Sequence, residues 1–174
     1  MRTKPAPPPA KLQQVALRAA RAAGRIHLRR LSRIRITRKA NALDLVTEGD
    51  RESEQAVIRM LNRAFPDHAI LAEESGASAR QSEHRWIVDP LDGTTNFAHG
   101  FPQFCVSIAY ERRRRLELAV VFDALKRELF VAARGRGARL NGRPIQVSAT
   151  PSLDRARCWR RPFHTTSGSG AISI

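Results

Sequence analysis

The stretch "WIVDPLDGTTNFAHG" at residues 86–100 places two acids directly after an apolar run. The run at 86–88 has no polar break, which favours a strand whose two faces are both covered. Asp89 follows that run, and Asp92 comes three residues later. Because Pro90 fixes the backbone between them, Asp92 can fold back towards Asp89. The stretch therefore predicts a buried strand that holds two carboxylates at its end.

A second apolar run ends in the same way. A short strand is predicted at 69–72, and Glu73 and Glu74 follow it directly. If this strand lies beside the one at 84–89, Glu73 and Asp89 project from the same edge of the sheet. Carboxylate oxygens are the ligands that Mg²⁺ and other hard cations prefer. Taken alone, two such glutamates more often belong to a solvated loop.

Three small or hydroxyl residues follow Asp92, namely Gly93, Thr94 and Thr95. They are expected to open a helix or a turn, where exposed N–H groups bind anions. Gly93 lets the backbone approach a ligand closely. Acids for a metal followed by amides for an anion suit metal-assisted hydrolysis of a phosphate ester. The alternatives are that Asp92 caps a helix and that Asp92-Gly93 forms a plain turn.

The apolar spacing predicts an α+β fold, with helices layered on a largely antiparallel or mixed sheet. Helices are expected at 11–31 and 51–64, with Asp50 in the N-cap position of the second helix and Pro66 ending it. Further extended segments are predicted at 42–47, 104–111, 116–123 and 127–135, with a hairpin at 137–148 around the turn Asn141-Gly142.

The chain carries a formal net charge of +15, and its first 43 residues contain 12 Lys or Arg and no acid. This charge indicates either a contact with nucleic acid or another anionic surface, or an arginine-rich solvated face. Aromatic residues make up only 6% of the sequence, so few platforms for base stacking exist. No apolar run approaches the length of a membrane span, and the two cysteines match no zinc spacing, so a cytoplasmic location is expected.

The stretch "WIVDPLDGTTNFAHGFPQFCVSIAY" closely resembles the signature of the inositol monophosphatase family, within the lithium-sensitive sugar-phosphatase superfamily. The blocks "KANALDLVTEGD" at 39–50 and "ILAEESG" at 70–76 agree with the family in order and spacing, as does 120–148. The resemblance covers about residues 11–154. It implies the N-terminal part of a layered αβαβα fold and the hydrolysis of inositol 1-phosphate.

The resemblance also implies roles for individual residues. Glu73, Asp89, Asp92 and the carbonyl of Leu91 resemble ligands of catalytic Mg²⁺. Asp50 resembles a residue that holds a further metal ion or its water, and Lys39 resembles a lysine on a mobile loop near the metals.

Catalysis and substrate binding are implied for an overlapping set. Thr94, together with Glu73, resembles the group that orients and activates the attacking water, and Asp50 is implied to be catalytic as well. The substrate contacts implied are Glu73, Leu91, Asp92 and the amides of Gly93, Thr94 and Thr95. The substrate is expected to be a small phosphate monoester, and a homodimer is expected as in the family.

Both ends of the sequence differ from the middle. Residues 1–10 are rich in proline and lysine and predict a disordered leader. Residues 155–174 predict a non-family tail, because no acid follows Asp154 and the family's next metal-binding aspartate is missing. With permissible codons, 157–163 read in another frame as Leu-Leu-Ala-Thr-Ala-Phe-Pro, which is close to the family segment. We therefore expect a frameshift from about residue 156, and weak or no activity from this chain alone.

The alternative function is a noncatalytic protein that binds RNA or a transcription complex through its basic N-terminal helix.

Overall fold

A computed structural model describes residues 9–31, 36–38 and 45–152, with the backbone alone described at 36–38 and 45–48. The helices are α1 (Pro9–Arg30), α2 (Glu48–Ala64) and α3 (Thr94–Ala98). The strands are β1 (Ile36–Arg38), β2 (Leu45–Thr47), β3 (Ala69–Ala72), β4 (Gly76–Ala77), β5 (His84–Asp92), β6 (Cys105–Arg112), β7 (Arg115–Asp123), β8 (Glu128–Ala133), β9 (Gly137–Leu140) and β10 (Arg143–Ile145).

The two long helices form one layer against one face of a sheet. α1 turns a stripe of small residues inwards, including Ala16, Ala19 and Ala23, which are fully buried. Small side chains let the helix axis approach the strands closely. At Gly24 the approach is closest, because an added Cβ would lie 2.6 Å from the Phe122 ring on β7. The predicted α+β class, with helices layered on a mixed sheet, is confirmed.

The main sheet has eight strands in the order β10-β9-β8-β7-β6-β5-β3-β4. All neighbours are antiparallel except β3 and β5, which run parallel. The meander from β6 to β10 follows the predicted strands closely. Asn141 and Gly142 both adopt positive φ, at 49° and 82°, as the hairpin predicted between β9 and β10 requires.

Strands β1 and β4 were not predicted, and several boundaries differ from the prediction, of which three are the most informative. α1 begins at Pro9, so the last two residues of the predicted leader are helical, as a proline in the first turn allows. α2 begins at Glu48, so Asp50 lies inside its first turn and the N-cap interpretation is wrong. β5 continues to Asp92, with a shift in its register against β6 between Asp89 and Asp92.

The core lies between the helix layer and the sheet. Its largest fully buried side chains include Trp86, Tyr110 and Leu61. A second, smaller cluster of Leu91, Phe97 and Phe104 lies beneath the β5–α3 turn. No helix in the described part of the chain is long and apolar enough to cross a membrane.

Candidate active site

Parallel pairing of β3 and β5 brings two of the predicted acids to one edge of the sheet. Ala72 pairs with Val88, so Glu73 and Asp89 are the next residues on the two strands. The backbone N–H of Glu73 donates to the carbonyl of Val88 at 3.1 Å. The carboxyl groups of Glu73 and Asp89 lie close enough to share a hydrogen bond when one of them is protonated. The two strands are therefore neighbours in the sheet, which is the arrangement that places Glu73 and Asp89 at the same edge.

Asp50 reaches the same region from the helix layer. It lies in the first turn of α2 and is 1% exposed. Its Oδ2 lies 3.5 Å from the hydroxyl of Thr94, which opens α3. Thr94 in turn donates to the carbonyl of Leu91 at 2.9 Å. Helix α2, strand β5 and helix α3 thus each contribute a residue to one group of oxygen atoms.

The clustered carboxylates disturb one another's ionisation. Burial, and then the neighbouring acids, beginning with Glu74 and Glu73, raise the pKa of Asp50 to about 7. The pKa of Asp89 is raised for the same reasons, first by burial and then by its hydrogen bond and repulsion with Glu73. The backbone N–H of Leu91, which donates to Asp89 Oδ1 at 3.2 Å, opposes that rise. Burial and mutual repulsion therefore oppose the ionisation of both Asp50 and Asp89.

The turn after Asp92 has a shape that only glycine fits. Gly93 has a φ of 90°, which side chains with a Cβ rarely adopt. A Cβ there would also lie 2.8 Å from the carbonyl oxygen of Gln103. Gly93 occupies the N-cap position of α3 and makes no side-chain cap, so the interpretation of Asp92 as a helix cap is wrong. The expectation that 93–95 open a helix is confirmed, since α3 starts at Thr94.

Asp92 is more exposed than the buried Asp50 and the half-buried Asp89. It is exposed, pairs with Cys105 across the sheet, and accepts a hydrogen bond from the Cys105 thiol at 3.7 Å. Burial, followed by repulsion from Asp92, raises the pKa of Cys105 to about 12, so the thiol stays protonated. Asp92 therefore faces solvent at the mouth of the site while Asp89 lies deeper.

Glu54 supports the site and was not predicted from the sequence. It is 4% exposed and accepts the backbone N–H groups of Glu74 at 2.9 Å and Ser75 at 3.1 Å. These two bonds hold the chain just after Glu73. The sequence does contain a sign that Glu54 is buried: it lies three and seven residues before the apolar residues at 57 and 61, and so on the same stripe of the helix.

The chemistry of these groups fits a hard divalent cation. The candidate ligands are oxygens only, and a double positive charge would relieve the repulsion among the carboxylates. Among the described residues, however, no three side chains of His, Cys, Asp or Glu lie close enough together to hold a metal ion. Lys39 lies outside the described residues.

The inositol monophosphatase family model matches residues 9–168 of this chain. The match starts where α1 starts. It also continues past residue 154, where the resemblance was expected to end, into a segment beyond the described residues.

Two curated relatives and one solved structure are similar over most of this chain. The Nus factor SuhB of Pseudomonas aeruginosa is 48% identical over 147 residues, which is 82% of this chain and 54% of the relative. Inositol-1-monophosphatase of Synechocystis is 50% identical over 122 residues, 70% of this chain and 42% of the relative. The structure of an IMPase/NADP phosphatase complexed with NADP and Ca²⁺ superposes with a TM-score of 0.78 at 26% identity, covering 87% of this chain and 59% of that one. The chain thus spans about half the length of the curated relatives it matches.

Proposed function

Because this chain belongs to the inositol monophosphatase family, we propose that it carries the catalytic half-site of a Mg²⁺-dependent phosphate monoester hydrolase. The substrate proposed is inositol 1-phosphate, which is hydrolysed to inositol and phosphate. The relative named as an inositol-1-monophosphatase supports this substrate, and the solved relative complexed with Ca²⁺ supports a divalent cation.

One observation carries the proposal: acids on α2, directly after β3 and on β5 lie in one region beside a glycine turn that opens a helix. Asp50 and Asp89 are both held with raised pKa values by burial and by neighbouring carboxylates. A purely structural cluster of this kind would weaken the fold, since like charges repel. In a cluster that binds a cation, the negative charge instead contributes to binding. Acids with strongly shifted pKa values are typical of functional sites.

Each residue has a proposed part in the reaction. Glu73, Asp89, Asp92 and the carbonyl of Leu91 would hold divalent cations, which supply positive charge to phosphate oxygens and to the leaving alkoxide. Glu73 would accept the proton of the attacking water, and the Thr94 hydroxyl would orient that water. Asp50 would act in catalysis by holding a further cation or its water.

Substrate binding is proposed for the residues around the glycine turn. The amides of Gly93, Thr94 and Thr95 would receive the phosphate group. The site residues Glu73, Leu91 and Asp92 would border the bound ester. Lys39 is proposed to act near the cations.

The test combines metal binding with phosphate release, using the full 174-residue chain. We expect Mn²⁺, followed by electron paramagnetic resonance, to bind the chain, and Asp89→Asn to weaken that binding about 10- to 100-fold. We expect release of phosphate from inositol 1-phosphate in Mg²⁺ to be weak from this chain, and any release that is detected should fall by a similar factor in Asp89→Asn. Glu117→Gln is the matched control, because it removes a carboxylate that pairs with Arg134 away from the site.

Two results would count against the proposal. One is a wild-type chain that binds no divalent cation, and the other is an equal loss of binding in both variants. Comparing phosphate release among several monoesters tests the choice of substrate, and light scattering tests the expected homodimer.

A relative named as a Nus factor favours a second candidate function, a noncatalytic role on RNA or in a transcription complex. Immobilised chain should then retain purified RNA polymerase, with or without RNA. Asp89→Asn should retain it equally well, because this role does not use the acidic cluster. Failure of both proteins to retain polymerase would remove this candidate and leave the phosphatase proposal untouched.

A further inference from the structure

The α1–α2 helix pair carries exposed cations on the side that faces away from the sheet. On each helix the cations recur at multiples of three or four residues, so that they follow one stripe. We call this surface the basic helix face, and its members are Lys11, Arg18, Arg21, Arg25 and Arg29 on α1 with Arg51, Arg59 and Arg63 on α2.

Little negative charge compensates this face. α1 contains no Asp or Glu, and among the α2 acids whose side chains are described, Asp50 and Glu54 are buried on the opposite side. Glu52 lies closer and pairs with Arg29 and Arg30. Among the described residues, no carboxylate pairs with the remaining arginines of the face, which are Arg18, Arg21, Arg25, Arg51, Arg59 and Arg63.

The face is held in a fixed shape by the packing behind it. The inner stripes of both helices lie in the same core as the sheet, through residues such as Ala19 and Leu61. The stripe from Lys11 to Arg29 is about 27 Å long, at about 1.5 Å per residue. The basic helix face is therefore an extended, rigid array of cations.

We propose that the basic helix face binds the phosphate backbone of a nucleic-acid duplex. A duplex offers a rigid row of phosphates, and arginine pairs with phosphate oxygens in a bidentate manner. None of the exposed positions of α1 or α2 is aromatic, so the face lacks the platforms on which single strands stack. A membrane surface is a poorer partner, because the apolar stripe that α1 would insert is already buried against the sheet.

This inference rests on the second candidate function, for which it names the surface and the class of ligand. Binding through phosphates alone implies contact without sequence preference. The affinity expected at physiological salt is that of nonspecific binding, with a Kd between about 10⁻⁶ and 10⁻⁴ M. The affinity should fall steeply with salt, because bound counterions are released.

The test measures fluorescence anisotropy of a labelled duplex of about 20 base pairs, longer than the roughly 8 base pairs that 27 Å covers. EDTA is present, so that no metal ion bridges the protein and the phosphates. The helix variant is Arg18→Gln/Arg21→Gln/Arg25→Gln. The control variant is Arg115→Gln/Arg136→Gln/Arg143→Gln, which removes the same charge from exposed positions on the strands and turns. Circular dichroism establishes that both variants fold.

We expect the helix variant to lose at least about 10-fold in affinity, and its salt dependence to become shallower by about 2 to 3 in the slope of log K against log salt. The control variant should lose less than about 3-fold. An equal loss in both variants would show that net charge alone drives binding and would overturn the proposal. So would a wild-type chain that binds no duplex, or one that prefers vesicles of anionic lipid. Because polymerase retention is measured separately, failure here is distinguishable from failure of the second candidate function.

Discussion

His27 on α1 donates its Nε2–H to the carbonyl of Pro90, 2.9 Å away, and is itself fully buried. Since a carbonyl only accepts, Nε2 carries the proton. Burial lowers the pKa of His27 to about 4, so the ring is neutral at pH 7. The ring lies beside Phe97 and Phe104. This bond ties the helix layer to the irregular part of β5 between Asp89 and Asp92.

We therefore expect His27→Phe to destabilise the chain by about 1–3 kcal/mol, because it keeps a ring but leaves a buried carbonyl unpaired. Urea unfolding measures this change. Leu28→Ala is the control, since Leu28 is 43% exposed on the same turn of helix and should change stability little. If His27 positions the site, Mn²⁺ affinity should also fall in His27→Phe. A variant as stable as wild type would show that the bond contributes nothing.

The glycine turn yields a second prediction with a matched control in the same segment. Gly93→Ala should cost about 2–4 kcal/mol, because it combines a positive φ with a Cβ 2.8 Å from the Gln103 carbonyl oxygen. Gly100→Ala has a similar φ of 67°, but its Cβ would meet nothing within 4 Å. It should cost only about 1 kcal/mol. Equal free energies of unfolding in the two variants would mean that the close approach at Gly93 has no energetic consequence.

We expect Glu54 to hold the backbone that follows Glu73 in an ordered conformation. Glu54→Gln replaces one acceptor oxygen by an NH₂ group facing a backbone N–H, so we expect a loss of about 2–3 kcal/mol. Hydrogen exchange at the amides of Glu74 and Ser75 should accelerate beyond what this global loss explains. Glu117→Gln again serves as the control. Unchanged exchange at both amides would contradict the role given to Glu54.

The acidic cluster predicts a pH dependence of stability in the absence of metal. The pKa of Asp50 is raised from an ordinary value of 3.8 to about 7, so its ionised form costs stability in the folded state. That cost is fully present above pH 7 and disappears as the pH falls through 7 towards 4. Asp50→Asn should therefore raise the free energy of unfolding at pH 8 by about 1–3 kcal/mol and change it little at pH 4.

Urea unfolding in EDTA across this pH range measures the difference between Asp50→Asn and wild type. His27 and His68, whose pKa values burial lowers to about 4, destabilise both proteins equally on the acid side, so their effect cancels. A variant that is less stable than wild type at pH 8 would contradict the repulsion described at Asp50.

The sequence by itself determined most of the helices and strands and the family to which the chain belongs. The period of the small and apolar residues fixed α1, and the turn signal Asn141-Gly142 fixed the last hairpin, because both are local properties of the chain. The acids after two apolar runs indicated the edge where Glu73 and Asp89 meet. These patterns depend on residues close in sequence, and the corresponding elements are present in the structure.

Only the tertiary structure decided which groups meet across the chain. Local sequence predicts Asp50 as a helix cap, because capping is judged from neighbours in sequence. The structure instead places Asp50 beside Thr94 and near Asp89 and the acids that follow β3, a region that only the family resemblance had indicated for it. His27 and Glu54 lie on buried helical stripes, which a periodic pattern can indicate. What they bind could not be predicted, since Pro90 lies 63 residues from His27 and Glu74 lies 20 from Glu54. A periodic pattern specifies which face of a helix is buried, and packing alone selects the partner that covers it.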